Sequence, residues 1–178
     1  MMYLVEKYLP KENTLLPSTS QPSKRAEVLS WLFWQMGSAP YVGGGFGHFF
    51  SYAPEPRIEY AINRFTMETK RQLDVLDKQL AGKKYICGNE LTLADMAIWP
   101  WYGNIVLDRL YSGSAEFLQV DEYPNLMKWA VMMETENSAV RKGRMVNRSW
   151  GADKENPLYK DIPALKERHS REDWEVKE

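Results

Sequence analysis

The sequence has few of the residues on which many protein functions depend. Its 178 residues include one cysteine and two histidines, and 23 basic against 24 acidic side chains leave a formal net charge of −1. A lone cysteine cannot form an intramolecular disulfide bond, and low cysteine usage is typical of a reducing compartment. We therefore expect a cytoplasmic protein without a disulfide framework.

The near-neutral charge argues against two classes of partner. Proteins that bind nucleic acid or an anionic lipid surface usually carry an excess of positive charge, which is missing here. No apolar run reaches the roughly 18 residues of a membrane-spanning helix. The first residues, MMYLVEKYLP, also lack the basic and apolar regions of a signal peptide. We expect neither nucleic acid nor a membrane as a partner.

Motifs for metal and phosphate binding are missing too. His48 is the only histidine outside the charged C-terminal tail, and no CxxC, HExxH or DxDxDG spacing is present, so we expect no metal site. The glycine-rich stretch YVGGGFGHFF, residues 41–50, has neither the GxxxxGK[ST] nor the GxGxxG spacing of a phosphate-binding loop. Its glycines allow close backbone approach while aromatic rings pack inward, or the stretch forms one wall of an apolar pocket.

Helical periodicity, by contrast, is strong. Apolar residues recur at steps of three or four from Ile58 to Leu80, which predicts a long amphipathic helix that begins near Arg57 and stops at Gly82. The other predicted helices lie at 1–9, from residue 23, at 124–135 and at 138–146. No run of alternating residues predicts a β-strand, so the predicted fold class is all-α.

Three local patterns refine this prediction. The segment KRAEVLSWLFWQM is expected to be a mostly buried helix, with an apolar stripe made of Ala26, Leu29, Phe33 and Met36. Glycine and proline predict irregular backbone from the glycine-rich stretch through SYAPEP. In LTLADMAIWPW, Thr92 and Asp95 have the spacing of a capping box, and Pro100 predicts a kink.

Three single residues each allow two interpretations. Arg64 lies just off the apolar stripe of the long helix, where it either reaches a ligand carboxylate at a pocket edge or pairs with Glu68. His48 is more simply a hydrogen-bonded loop histidine than a general base, because no nucleophile is evident. Cys87, beside Ile86, is more simply a buried inert thiol than a reactive one.

Several motifs, in order along the chain, resemble one enzyme family. LTLADMAIWPW resembles the capping-box segment in the helical C-terminal domain of glutathione transferases. The segments WLFWQMG, GGGFGHFFSYAP and YAINRFTMETKRQLDVLDKQL resemble the bacterial nu-class subgroup, which includes glutathione-dependent disulfide-bond oxidoreductases. The likeness extends from Met1 to about Arg148. It implies a helical bundle that packs against a thioredoxin-like domain in a homodimer.

The resemblance also implies a domain organisation. Residues 1–20 correspond to the end of the thioredoxin-like domain and the linker, residues 21–150 to the helical domain, and residues 151–178 to a charged tail. Most of the thioredoxin-like domain, which in this family stabilises the thiolate and holds the γ-glutamyl group, would lie outside this chain. The resemblance therefore leaves open whether the chain alone is an enzyme.

Site residues follow from the same resemblance. Arg64 matches an arginine that contacts glutathione in the subgroup, and Gln35 corresponds less closely to a glutamine that approaches it. No catalytic residue of the family is matched. The residues expected on the second-substrate side are Tyr41, Phe46, His48, Phe49 and Tyr52.

The implied function is that of the helical half of a glutathione transferase. Such an enzyme conjugates glutathione to electrophiles, reduces disulfides with glutathione, or does both, and its partners are glutathione and a small electrophile or disulfide. The alternative is a truncated, non-catalytic helical module that acts by protein association. In both cases an apolar surface around the first helix and the aromatic stretch is expected to favour association.

Overall fold

The computed structural model describes residues 1–140 and residue 143. The chain divides into two units, residues 1–133 and 134–178, and only residues 134–140 and 143 of the second unit are described. The described α-helices are α1 (Met2–Tyr8), α2 (Pro22–Pro40), α3 (Glu59–Leu80), α4 (Leu93–Ile98), α5 (Asn104–Val106), α6 (Ser114–Leu118) and α7 (Pro124–Glu136). The described residues contain no β-strand, which confirms the all-α prediction.

Two predicted segments fall partly or wholly beyond this description. Residues 138–140 and 143 are helical, but the rest of the predicted helix at 138–146 and the predicted tail at 151–178 lie outside the described residues. The domain boundaries proposed from the sequence stay predictions. None of the helices in the described part of the chain has the length and apolar character needed to cross a membrane.

The longest helix, α3, confirms the predicted amphipathic segment and carries the candidate site. Its apolar side places Leu73, Leu76 and Leu80 in the core. The helix ends at Leu80, and Gly82 follows with a φ of +70°, a conformation that glycine adopts without the strain of a Cβ atom. Ile58 lies before the first turn and is exposed, so the buried stripe is shorter than predicted.

Helix α2 does not bury the predicted stripe. Phe33 and Met36 are 72% and 69% exposed, and Ala26 is exposed as well. The buried residues of this helix are Val28, Gln35, Ser38 and Ala39. The prediction was wrong because the helix carries apolar and aromatic residues on several of its own faces. Periodicity therefore does not identify the face that packs against the core.

The glycine-rich stretch is helical, which corrects the prediction of irregular backbone. Residues Tyr41–Tyr52 continue directly from α2 as a π-helix. At its end the Ala53 amide donates to the His48 carbonyl at 2.7 Å, the i→i−5 spacing of that helix type. Irregular backbone begins only after this segment, at residues 53–58.

Packing explains why glycines tolerate a helical conformation here. Glycine disfavours helix by about 1 kcal/mol per residue relative to alanine, so tertiary contacts must offset that cost. The rings of Phe65 and Tyr111 lie directly against the backbone of the π-helix. A Cβ atom at Gly45 would lie 2.4 Å from the Phe65 ring, and one at Gly47 would lie 2.0 Å from the Tyr111 ring. The glycines therefore admit aromatic rings against the backbone, rather than a second backbone.

The predicted capping box is confirmed at the start of α4. The carboxylate of Asp95 is fully buried, and its Oδ2 accepts hydrogen bonds from the Thr92 amide and hydroxyl, both at 3.0 Å. Its Oδ1 accepts from the Ile86 amide at 2.9 Å and from Trp129 Nε1 at 3.0 Å. Burial raises the pKa of Asp95, and these hydrogen bonds oppose the rise. One carboxylate thus ties the preceding loop and α7 to α4.

At Pro100 the helix that begins at the capping box changes from α- to π-helical hydrogen bonding, and the predicted kink stays a prediction. Residues Trp99–Gly103 form a single π-turn between α4 and α5, because proline offers no amide to the hydrogen-bond ladder. The Asn104 side chain donates to the Pro100 carbonyl at 2.8 Å. This turn buries Tyr102 completely, beneath the middle of α3.

Candidate functional site

Arg64 lies on the exposed side of α3, between two large exposed side chains. Tyr60, four residues before it, is 82% exposed, and Met67, three residues after it, is 72% exposed. Arg64 itself is exposed. Residues at these spacings lie on one face of a helix. We call Tyr60, Arg64 and Met67 the arginine face.

Glu68 does not neutralise Arg64. Its carboxylate instead accepts two hydrogen bonds from Arg71, with Nε to Oε2 at 3.1 Å and Nη2 to Oε1 at 2.6 Å. Within the described part of the chain, Arg64 takes part in no hydrogen bond or ion pair, and it acts on Glu68 only through space. The hydrogen bond from Arg71 is the main cause that lowers the pKa of Glu68, and the charge of Arg64 contributes less. The ion-pair interpretation of Arg64 is therefore wrong.

A group of aromatic rings surrounds Phe65, the residue next to Arg64. The Phe49 ring stacks on Phe65, with 5.6 Å between centroids and 8° between planes, and Tyr41 lies 6.3 Å from it. The His48 ring contacts Phe49 edge-on at 4.9 Å. Tyr41 and His48 are exposed, and Phe49 is half-buried. We call Tyr41, His48, Phe49 and Phe65 the front aromatic cluster.

The other two predicted second-substrate residues belong to a different group. Phe46 and Tyr52 both contact the Tyr111 ring, at 6.2 Å and 5.8 Å between centroids. Tyr52 is exposed, but Phe46 has no exposed surface at all and packs with Phe50 and Phe117, whose rings also contact each other at 4.9 Å. Phe46 is therefore a core residue behind the surface. The structure divides the five predicted residues into two sets instead of bringing them to one wall.

Gln35 lies on the buried side of α2. Its side-chain amide makes no hydrogen bond to another described residue, and it is not among the fully enclosed unpaired groups, which are the hydroxyls of Thr66 and Thr69. This arrangement leaves its hydrogen-bonding groups available. The contact with glutathione that the sequence suggested for Gln35 stays a prediction.

The single cysteine lies apart from these residues. Cys87 is half-buried in a cavity of about 350 Å³, whose lining includes Glu12, Lys24, Glu27, Cys87, Asn89 and Thr92. Burial raises the pKa of the Cys87 thiol to about 12, and the nearby negative charge of Glu27 adds to the rise. The thiol is thus protonated at neutral pH and poorly nucleophilic. In the described part of the chain, no group of His, Cys, Asp and Glu side chains is placed to hold a metal ion.

Comparison with known proteins decides the family. Residues 59–130, which include α3 and the capping box, match the sequence model of the family described as "Glutathione S-transferase, C-terminal domain". The chain carries a glutathione S-transferase C-terminal domain.

Relatives of this domain match most of the chain. The Escherichia coli K12 protein named Disulfide-bond oxidoreductase YghU is 51% identical over 176 residues, which are 99% of this chain and 55% of that protein. The structure of glutathione transferase YghU from Streptococcus pneumoniae, complexed with glutathione, is 56% identical. It superposes with a TM-score of 0.74 and covers 83% of this chain and 54% of that one.

A more distant structure supports the same fold. A glutathione transferase from Pseudomonas putida, with one glutathione disulfide bound per subunit, is 29% identical with a TM-score of 0.69, and the match covers 83% of this chain and 60% of that one. The chain therefore spans little more than half the length of the relatives it matches.

Some residues of this glutathione S-transferase domain were not predicted to contribute to the site. Phe65 supports Phe49 and Tyr41, and its place in the apolar stripe of α3 was the available signal. Tyr111 and Phe117 support the enclosed Phe46, but they lie far along the chain and carry no local pattern. Arg71 pairs with Glu68, and its spacing from Glu68 could have shown this.

Proposed function

We propose that this chain is the helical half of a nu-class glutathione-dependent enzyme that conjugates glutathione to electrophiles or reduces disulfides. The observation that carries the proposal is Arg64. It is an exposed cation without a partner among the described residues, in a domain whose relatives include structures with glutathione and its disulfide bound. We further propose that the intact enzyme is a cytoplasmic homodimer.

The chemistry of glutathione suits this arrangement. Glutathione has two carboxylates, and a guanidinium donates two parallel hydrogen bonds to a carboxylate in a fixed geometry. Because Glu68 is engaged by Arg71, the charge of Arg64 is not neutralised within the helix. In this proposal Arg64 pairs with one carboxylate of glutathione, and Gln35 supplies a further polar contact.

The front aromatic cluster gives the second substrate an apolar surface beside Arg64. Phe65 follows Arg64 directly and stacks on Phe49, while Tyr41 and His48 expose their rings around them. Binding sites for small molecules are mostly apolar with a few polar groups that fix orientation. Tyr41, His48 and Phe49 would then contact the electrophile or disulfide, Tyr52 would lie at the edge, and Phe46 would support the surface from behind.

The reaction itself requires a thiolate, and in this proposal the thiolate is activated outside this chain. In disulfide reduction, the glutathione thiolate attacks one sulfur, forms a mixed disulfide and releases the other sulfur as a thiolate. In conjugation, the thiolate forms a carbon–sulfur bond with the electrophile. Cys87 is unsuited to either role because its half-buried thiol has a pKa raised to about 12. We assign thiolate activation to a thioredoxin-like domain outside this chain.

Exposed apolar residues support the homodimer. Phe33 and Met36 lie on one exposed face of α2, away from Arg64 on α3. Large exposed apolar residues grouped on helix faces are typical of interaction surfaces. Most soluble oligomers are symmetric dimers of identical chains.

Glutathione affinity of the 178-residue chain tests the proposal. Its amide resonances would be followed during titration with glutathione in the wild type, in Arg64→Ala and in Arg64→Lys. Loss of a charged hydrogen bond costs about 1.5–3 kcal/mol, so Arg64→Ala should weaken binding by roughly 10- to 150-fold. The glutathione affinity of Arg64→Lys should lie between those of the wild type and Arg64→Ala. Lysine keeps the positive charge but cannot donate two parallel hydrogen bonds to a carboxylate.

The matched control is Lys78→Ala, which removes one positive charge from the same helix at an exposed position paired with Asp74. It should bind glutathione like the wild type. Unchanged affinity in Arg64→Ala would contradict the assignment of Arg64.

A second candidate function is a non-catalytic helical module that acts by association. The exposed side chains of Phe33, Met36, Tyr60 and Met67 favour it. Turnover of hydroxyethyl disulfide or of a standard electrophile by this chain alone would refute it. Light scattering should show association of the chain, and a monomer at all concentrations would count against both the homodimer and this module.

A further inference from the structure

Two arginines flank one carboxylate on α3. Glu68 lies four residues after Arg64 and three residues before Arg71, and both spacings permit an ion pair on a helix surface. The structure shows only one of the two pairs. Arg71 donates twice to Glu68, at 3.1 and 2.6 Å, and Arg64 donates to no described residue.

Helix geometry explains why Arg71 forms this pair. Side chains on an α-helix lean towards its N-terminus. Arg71 therefore leans towards Glu68, whereas Arg64 leans away from it. An acid that precedes the base is also the more favourable order on a helix, and the two-point contact of a guanidinium with a carboxylate adds strength.

A second hydrogen bond anchors the carboxylate from the core. Gln72 Nε2 donates to Glu68 Oε1 at 2.9 Å, and Gln72 Oε1 accepts from the Tyr102 hydroxyl at 2.8 Å. Gln72 and Tyr102 are both fully buried, and the Glu68 side chain is only 15% exposed. The Glu68 carboxylate is thus held from the interior by Gln72 and at the surface by Arg71.

We propose that Arg71, with Gln72, acts as a positioning residue that holds Glu68 away from Arg64 and so keeps Arg64 available for an anionic ligand. The inference rests on the proposed function, because the ligand carboxylate is taken to be that of glutathione. Without Arg71, Arg64 becomes the remaining cation within helix-pair spacing of Glu68. An internal ion pair then competes with the ligand.

The state of Arg64 can be tested without any ligand. We would record ¹⁵N spectra of the arginine Nε–H groups in the full 178-residue chain, with Arg64→Lys used to assign the Arg64 signal. Arg71→Gln should shift the Arg64 signal and slow its exchange with water, because Glu68 now pairs with it. The double variant Glu68→Gln/Arg71→Gln should return the signal to its wild-type position. An Arg64 signal that Arg71→Gln leaves unchanged would overturn the inference.

Ligand binding tests the consequence, with glutathione as the probe. Competition from an exposed ion pair should weaken binding in Arg71→Gln by about twofold to fivefold. Glu68→Gln/Arg71→Gln should restore wild-type affinity. The double variant keeps the Arg71 substitution and lacks only the competing carboxylate, so a rescue would show that the Arg71 substitution alone does not damage the site. The control Lys78→Gln makes the same charge change on the same helix and should leave affinity unchanged.

The outcomes separate this inference from the proposed function. If Arg64→Ala binds glutathione as the wild type does, the proposed function fails at this residue. If Arg64→Ala binds weakly and Arg71→Gln binds normally, only the positioning role fails. If the wild-type chain does not bind glutathione at all, the ligand-free spectra still decide whether Arg71 controls Arg64.

Discussion

Asp95 and Arg64 are charged residues in opposite surroundings. Asp95 is fully buried at the start of α4, and its carboxylate accepts four hydrogen bonds from the amides of Ile86 and Thr92, the Thr92 hydroxyl and the Trp129 indole. Arg64 is exposed on α3, and no described residue pairs with it. The chain itself satisfies the first charge and leaves the second unpaired.

This difference separates a charge that stabilises the fold from one that can serve a ligand. A buried carboxylate is tolerated only when its hydrogen bonds are supplied internally, so its removal leaves several donors unsatisfied. An exposed guanidinium costs little to keep without a partner. Substitutions at the two positions should therefore affect different properties, stability at Asp95 and ligand affinity at Arg64.

The largest effect on stability is expected at Asp95. Asp95→Ala leaves two amides, a hydroxyl and an indole N–H without their acceptor. At about 1–3 kcal/mol for each unsatisfied buried group, partly relieved by water, the free energy of unfolding should fall by roughly 3–5 kcal/mol. Urea unfolding monitored by circular dichroism measures this change.

The control for Asp95 is Asp74→Ala on α3, which removes an exposed carboxylate paired with Lys78 and should cost less than about 1 kcal/mol. A similar loss of stability in the two variants would remove the distinction between an internally satisfied charge and a surface charge.

Packing beneath the front aromatic cluster should give the next largest effect. Gly45→Ala would place a Cβ atom 2.4 Å from the Phe65 ring, next to Arg64, and should destabilise the fold by about 1–3 kcal/mol through overpacking. Gly44→Ala is the matched control, since no heavy atom lies within 4 Å of a Cβ atom there. That variant should be neutral or gain up to about 1 kcal/mol. Equal effects of the two substitutions on thermal unfolding would show that Phe65 does not rest on Gly45.

Substitution of Glu68 should have a smaller, pH-dependent effect on stability. Glu68 is neither fully buried like Asp95 nor unpaired like Arg64. The hydrogen bond from Arg71 lowers its pKa in the folded chain. The folded state therefore binds fewer protons than the unfolded state, and this contribution to stability is present at neutral pH and lost as pH falls through the lowered pKa. Glu68→Gln should remove that part of the acid sensitivity and cost up to about 1 kcal/mol at neutral pH.

Urea unfolding of the wild type and Glu68→Gln at neutral and acidic pH measures the difference. Parallel pH dependence in the two proteins would mean that Arg71 does not stabilise the ionised carboxylate.

Local patterns were sufficient for part of this fold. The spacing of Ile62, Leu73 and Leu76 defined α3, and the Thr92–Asp95 pair defined the start of α4, because each depends on residues a few positions apart. The π-helix at 41–52 could not be predicted, since its glycines disfavour helix and the rings that stabilise it come from Phe65 and Tyr111, distant in sequence. The buried side of α2 was missed for a similar reason, as its partners are not local.

For the candidate site, too, local patterns were informative but did not show which residues contact one another. Spacing placed Arg64 beside Glu68 but could not tell whether they pair, and the family resemblance singled out Arg64 without explaining its state. The contacts of Glu68 with Arg71 and Gln72 supply that explanation. The sequence also grouped Phe46 with Tyr41 and Phe49, although Phe46 is enclosed, because aromatic residues on opposite sides of one helix look alike in sequence.

The most direct test of the account is to map where glutathione binds on this chain. Amide chemical shifts of the 178-residue protein would be followed as glutathione is added, with assignments for α3, the π-helix and the cavity around Cys87. We expect the largest shifts at residues 60–71 of α3 and at 41–49, around Arg64 and the front aromatic cluster. Shifts confined to the cavity near Lys24 and Cys87, with α3 unaffected, would contradict the central claim that the unpaired Arg64 marks the glutathione site.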